Sequence, residues 1–116
     1  MRGGGAGRIV LAAAVGFGWL AGAGARADEP APIAVTIKDH QFSPAEIHVP
    51  TGKSVTLKIT NQDATAEEFD STALKVEKII AGGTWGLVHL HPLGPGRYPF
   101  IGEYHADTAK GVVISE

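Results

Sequence analysis

The sequence predicts an all-β fold, a sandwich of short antiparallel strands, on two observations. Apolar and polar residues alternate with period two along most of the chain beyond residue 32, the pattern of strands buried on one face. Pro-, Gly- and Asn-containing turn signals interrupt the alternation at short, regular intervals. Seven short strands at such spacing suit two packed sheets.

The elements follow in order. Ile33, Val35 and Ile37 alternate with Ala34, Thr36 and Lys38, and Phe42-Ser-Pro44 closes this strand with a turn. Ile47 and Val49 alternate with Glu46 and His48, which puts His48 on a polar face, and Pro50-Thr-Gly52 follows. Val55, Leu57 and Ile59 alternate with Ser54, Thr56 and Lys58 up to the turn Asn61-Gln-Asp63. Further strands are expected at about 75–80, 85–89, 97–101 and 111–114, separated by Gly82-Gly83 and by Pro92-Leu-Gly-Pro-Gly96. Tyr98 and Phe100 share one strand face and belong to the core. Between Glu67 and Ile80 the pattern is mixed. Ser71 could cap a short helix, but irregular structure leading into a strand is the reading adopted.

Residues 1–27 read as a secretory signal peptide. Arg2 and Arg8 open the segment, an apolar Gly/Ala-rich stretch runs from Ile9 to Leu20, and Ala25-Arg26-Ala27 ends it in a small-x-small cleavage pattern. The apolar stretch is shorter than the roughly 20 residues of a membrane span. A periplasmic domain of residues 28–116 is therefore expected, with no cysteine for a disulfide or a lipid anchor. Removing Arg2, Arg8 and Arg26 leaves seven Lys/Arg against twelve Asp/Glu, 7 − 12 = −5. That balance argues against nucleic acid and suits a cation. There is no nucleophile elbow, phosphate loop or His-Glu-x-x-His, so the common hydrolase signatures are missing.

The residue types that can carry chemistry gather in two short segments, Glu67-Glu-Phe-Asp70 and Gly102-Glu-Tyr-His105. Each carboxylate also reads as ordinary solvated surface. His89 and His91 lie two apart at the end of a strand and could chelate one ion from one face. His40 lies in the turn Lys38-Asp-His-Gln41, where tolerance of unusual φ/ψ explains it as well as metal binding does. Trp85 is expected to be exposed, so its strand could dock a partner.

Taken together, Val35 to Pro44, Ile47-His-Val-Pro-Thr-Gly52, Val55 to Asn61, Pro95-Gly-Arg-Tyr-Pro-Phe100 and the loop to Gly111 resemble the cupredoxin-like domain family over nearly all of the chain after the signal. The resemblance implies a Greek-key β-sandwich of about seven to eight strands with a metal site at one end. In that family the last loop supplies a thiolate, then a histidine three residues on, then a methionine. Gly102, His105 and Thr108 stand in those places here, and Glu67 or Glu68 stands where the first histidine would be. The pairing of the two acidic segments is similar to a cysteine-less subgroup found with bacterial high-affinity iron uptake. That likeness implies a periplasmic iron-binding protein and an inner-membrane iron permease as partners.

The ligand set implied by the resemblance is Glu67, Glu68, Glu103 and His105, with His40, His89 and His91 as secondary candidates. Carboxylates with imidazole suit iron or Cu(II) better than they suit Cu(I), so the expected cofactor is an iron or copper ion. Iron binding with ferroxidase-like assistance is the leading expectation. A copper-binding or electron-transfer accessory protein and a metal-free interaction module are the alternatives. Adjacent strand residues face opposite ways, so only one of Glu67 and Glu68 can face the site. Glu68 is the expected one, with Phe69 pointing inward, although the resemblance itself selects Glu67.

Overall fold

The computed structural model describes residues 31–116, so the expected signal peptide lies outside the described residues. Nine strands form in chain order: β1 Ile33–Lys38, β2 Gln41–Ser43, β3 Glu46–Val49, β4 Val55–Asn61, β5 Glu67–Ser71, β6 Val76–Ile80, β7 Trp85–Leu90, β8 Gly96–Gly102 and β9 Lys110–Ser115. A single 3₁₀ turn, Glu103–His105, sits between β8 and β9.

The strands make a Greek-key sandwich of two sheets, one ordered β2-β1-β4-β7 and the other β3-β9-β8-β5-β6. Two strands exceed the number expected. β2 is too short to show alternation by itself, and β5 pairs with β6 where irregular structure was expected. Nor is the pairing wholly antiparallel. β1 runs parallel to β4, and β3 parallel to β9, because the chain crosses to the second sheet for β3 and returns to the first beside β1. Ser71 caps a tight turn instead of a helix: its Oγ accepts the Leu74 N–H at 2.9 Å and donates to the Pro99 carbonyl at 2.7 Å.

The alternating apolar residues meet between the sheets. Val35, Ile37, Leu57, Ile59 and Val88 from one sheet face Ile47, Phe69, Phe100 and Val113 from the other, all buried. Three phenylalanines join the sheets at one end. Phe42 meets Phe69 and Phe100 edge-on, with centroids 5.9 and 5.0 Å away, while Phe69 and Phe100 stack at 4.7 Å. Such edge and offset arrangements suit the ring quadrupoles. Tyr98 shares the face of Phe100 as expected, half-buried, with its hydroxyl donating to the Gly94 carbonyl at 2.8 Å.

Asn61 closes this end of the sandwich. It is buried, its Nδ2 donates to the carbonyls of Thr65 and Ile80 at 2.9 and 3.1 Å, and its Oδ1 accepts the Asp63 N–H at 3.0 Å. The amide thus ties the end of β4 to the end of β6 and shapes the turn that follows. Asn61→Ala would strip these groups of their partners inside the protein. Its expected cost is about 2 kcal/mol, read in urea unfolding as a lower midpoint with an unchanged slope.

Candidate functional site

Past Asn61, side chains at the end of the sandwich are positioned one by another. Asp39 and His40 form the two-residue turn between β1 and β2, and both take positive φ, 53° and 58°. This is the hairpin turn that glycine or asparagine usually fills. Here the Asp63 carboxylate holds it, accepting the Asp39 and His40 N–H groups at 2.8 and 2.9 Å. The His40 N–H is the main reason that Asp63 titrates below the ordinary carboxylate value, with the Asp39 N–H reinforcing it against partial desolvation. The anchor is therefore present at neutral pH and is lost as pH falls through that lowered value.

So fixed, the His40 ring stacks on His105, with centroids 3.6 Å apart and planes 11° from parallel. Thr108 Oγ1 donates to the His40 carbonyl at 2.7 Å and ties the turn to the β8–β9 loop. That loop also closes on itself, through Ala109 N–H to His105 O at 2.8 Å and Gly102 N–H to Ala109 O at 2.8 Å.

Glu67 opens β5 with its side chain 1% exposed. Its Oε2 lies 2.6 Å from His105 Nδ1, and its Oε1 accepts the N–H groups of Tyr104 and Glu68 at 2.9 and 3.0 Å. The carboxyl group thus has three partners, two backbone N–H donors and one imidazole nitrogen. Glu67, not Glu68, faces inward. Strand parity decides this, because Phe69 is buried in the core and Glu67 shares its face while Glu68 takes the other. The expectation for Glu68 overlooked that sharing.

Glu68 instead stands outside, near Asp70 and Glu77 across the β5–β6 ladder, with Glu103 arriving from the 3₁₀ turn. Glu103 is held above the ordinary glutamate value first by a hydrogen bond to the Asp70 carboxyl, then by desolvation and repulsion from Asp70, Glu77 and Glu67. Glu68 is raised first by desolvation and then by the charges of Glu77, Asp70, Glu103 and Glu67. The predicted ligand set is thus divided by one strand: Glu67 and His105 lie inside, with His40 stacked on the imidazole, and Glu68 and Glu103 lie outside. Asp70 and Glu77 were missing from that set. Asp70 was legible two residues after Glu68, whereas Glu77 needed the β5–β6 register.

His89 and His91 are remote from this place. His89 pairs with Thr56 at the start of β4, five residues from Asn61, and its Nδ1 lies 3.0 Å from Thr56 Oγ1. His91 lies beyond β7, with Nδ1 3.2 Å from the Pro92 carbonyl. His48 is exposed, as its polar face implied, with Nδ1 2.9 Å from Glu116 Oε2. Among the described residues, no three His, Asp or Glu side chains are already arranged around one point as a metal site.

The comparisons with known proteins agree with this architecture. A family model described as "Cupredoxin-like domain" matches residues 9–115. The chain belongs to that family. One relative, an uncharacterized protein of Rickettsia prowazekii (strain Madrid E), is 43% identical over 82 residues. The match covers 71% of this chain, and the chain spans 66% of that relative's length. Solved structures of amicyanin also match. A reduced mutant superposes with a TM-score of 0.57 at 22% identity, and a Cu(I) form of another mutant with 0.57 at 23%. Each alignment covers 78% of this chain and 88% of the amicyanin chain, and at such identity the likeness is one of fold.

A copper–thiolate centre needs a sulfur, two imidazoles and a weak axial donor. This cupredoxin-like chain has no cysteine, and the stacked His40 and His105 rings send their in-plane lone pairs along nearly parallel planes, not to one ion. The donors present do not fit such a centre.

The outer carboxylates give a pH prediction. A carboxyl whose value is raised in the folded state binds its proton more tightly there than when unfolded, so stability falls as pH rises above the ordinary value of 4.5. Glu103→Gln is expected to raise the thermal midpoint at pH 7, with the gain shrinking toward pH 4. Calorimetry across that range checks it.

Proposed function

We propose that this cupredoxin-like protein is exported to the periplasm and carries a hard metal ion, iron foremost, as cargo for uptake. The observation that supports the reading is the outer group Glu68, Asp70, Glu77 and Glu103, gathered on one face by the β5–β6 register and the 3₁₀ turn, where desolvation raises Glu68 and the Asp70 hydrogen bond raises Glu103, each reinforced by the neighbouring charges. Carboxylates crowded against like charge gain when a cation is bound among them. Oxygen donors favour hard ions such as Fe(II), Fe(III) or Mn(II) over Cu(I). Anionic oxygen also stabilises Fe(III) more than Fe(II), so a carrier of this kind favours loss of one electron from bound Fe(II) to dioxygen. The acidic segments Glu67–Asp70 and Gly102–His105 support membership of the iron-uptake subgroup. Delivery would then run between a periplasmic iron-binding protein and an inner-membrane permease.

Copper is the second cargo to weigh, because an amicyanin of the same fold is a Cu(I) protein; here it would bind as Cu(II) at the outer carboxylates, not between the stacked His40 and His105 rings. A metal-free interaction module is the reading that would survive failure of both. It is favoured by the closed Glu67–His105 contact and by Trp85, which is 57% exposed beneath Lys58.

Anaerobic titration of the purified protein with Fe(II), Mn(II) and Cu(II) separates these readings. Glu68→Gln and Glu103→Gln are each expected to weaken Fe(II) binding about tenfold, and His89→Ala to leave it unchanged. Oxygen uptake with bound Fe(II) above the uncatalysed rate identifies ferroxidase-like assistance. Equal iron binding by the wild-type and both Gln variants would sink the assignment.

A further inference from the structure

We infer that the Glu67 carboxylate, clamped by His105 Nδ1 and by the Tyr104 and Glu68 N–H groups, occupies the place of a copper–thiolate centre and closes this end of the sandwich to copper. The inference is independent of the cargo site, which lies on the other face of β5.

Gly102 carries the case. It stands where the resemblance puts the cysteine, it is buried, and its N–H donates to the Ala109 carbonyl. A Cβ on Gly102 would lie 2.6 Å from Glu67 Cδ, 2.7 Å from Ala109 Cβ and 2.8 Å from Glu67 Oε2. Those separations are well inside van der Waals contact. The volume that a side chain at 102 needs is thus already taken by the Glu67 carboxylate and the Ala109 methyl, so a cysteine at 102 requires both to move.

The other donor positions are engaged as well. Glu67 stands in the place of the first histidine, and all three of its hydrogen bonds come from within the protein. His105 is retained, but its Nδ1 is engaged by Glu67 Oε2 at 2.6 Å, so that nitrogen is taken up by a contact within the protein. Thr108, in the methionine place, uses its hydroxyl on the His40 carbonyl. Where a metal would tie the β8–β9 loop to the first-histidine position, a carboxylate–imidazole bond does so instead. Glu67 and Gly102 are therefore the two residues that set this site against copper.

The test is a double-mutant cycle on the full chain with a spectroscopic readout. Gly102→Cys alone is expected to lower the thermal midpoint, because the new Cβ meets the Glu67 carboxylate. Glu67→His with Gly102→Cys is expected to relieve the Glu67 part of that clash, leaving the Ala109 contact, and, with one equivalent of Cu(II), to gain the intense visible thiolate-to-copper charge-transfer band that the wild type lacks. Should the double variant fail to fold, the wild type still decides the matter. The hydrogen-bonded Nδ1–H proton of His105 is expected to persist in the NMR spectrum when one equivalent of diamagnetic Cu(I) is added anaerobically. Loss of that proton on adding Cu(I), or a Gly102→Cys protein as stable as the wild type, would overturn the inference. Neither result bears on iron binding at Glu68 and Glu103.

Discussion

The end of the sandwich is organised around one requirement, that the buried carboxylate of Glu67 be fully hydrogen-bonded. A carboxyl side chain at 1% exposure is costly to keep unless its oxygens find hydrogen-bond partners. Two backbone N–H groups and His105 Nδ1 provide them, and each bond fixes something further. The Tyr104 bond sets the 3₁₀ turn after β8 against the start of β5. The His105 bond orients a ring against which His40 then stacks, and the room for the carboxylate exists because residue 102 has no side chain.

A second layer holds the first. Asn61 shapes the turn that presents Asp63, Asp63 pins the positive-φ turn at Asp39 and His40, and Thr108 ties that turn to the loop bearing His105. Two turns and a loop that are distant in sequence are thereby locked to each other by short polar contacts above the three packed phenylalanines. The arrangement suits a fold whose end loops carry function on a rigid base. In this chain the inner loops are spent on self-contact, and the unrelieved charge is displaced to the outer face of β5.

Much of this was legible in the strands themselves. The alternation around Val35, Ile47 and Leu57 located the core, and the turn at Lys38–Gln41 was recognisable as one tolerating unusual φ/ψ. The order of the motifs indicated the family and picked out Glu67, Gly102 and His105. The misreading of Glu68 shows where such reasoning stops. Position 68 differs from 67 only by parity, and parity is set by which neighbour the core accepts; Phe69 makes that choice. β5 itself was obscured because its sequence, Glu-Glu-Phe-Asp-Ser, carries a single apolar residue.

The sequence by itself determined the fold class, the family and the absence of a thiolate, because strand periodicity, turn residues and ligand types are local properties of the chain. Tertiary structure alone decided which carboxylates meet. The β5–β6 register set Glu77 beside Asp70, and the packing of β5 against β8 brought Glu67 into the space above Gly102. The Glu67–His105 bond that follows joins residues 38 positions apart along the chain, and a hydrogen bond of this kind depends on atomic separation, which no local pattern encodes.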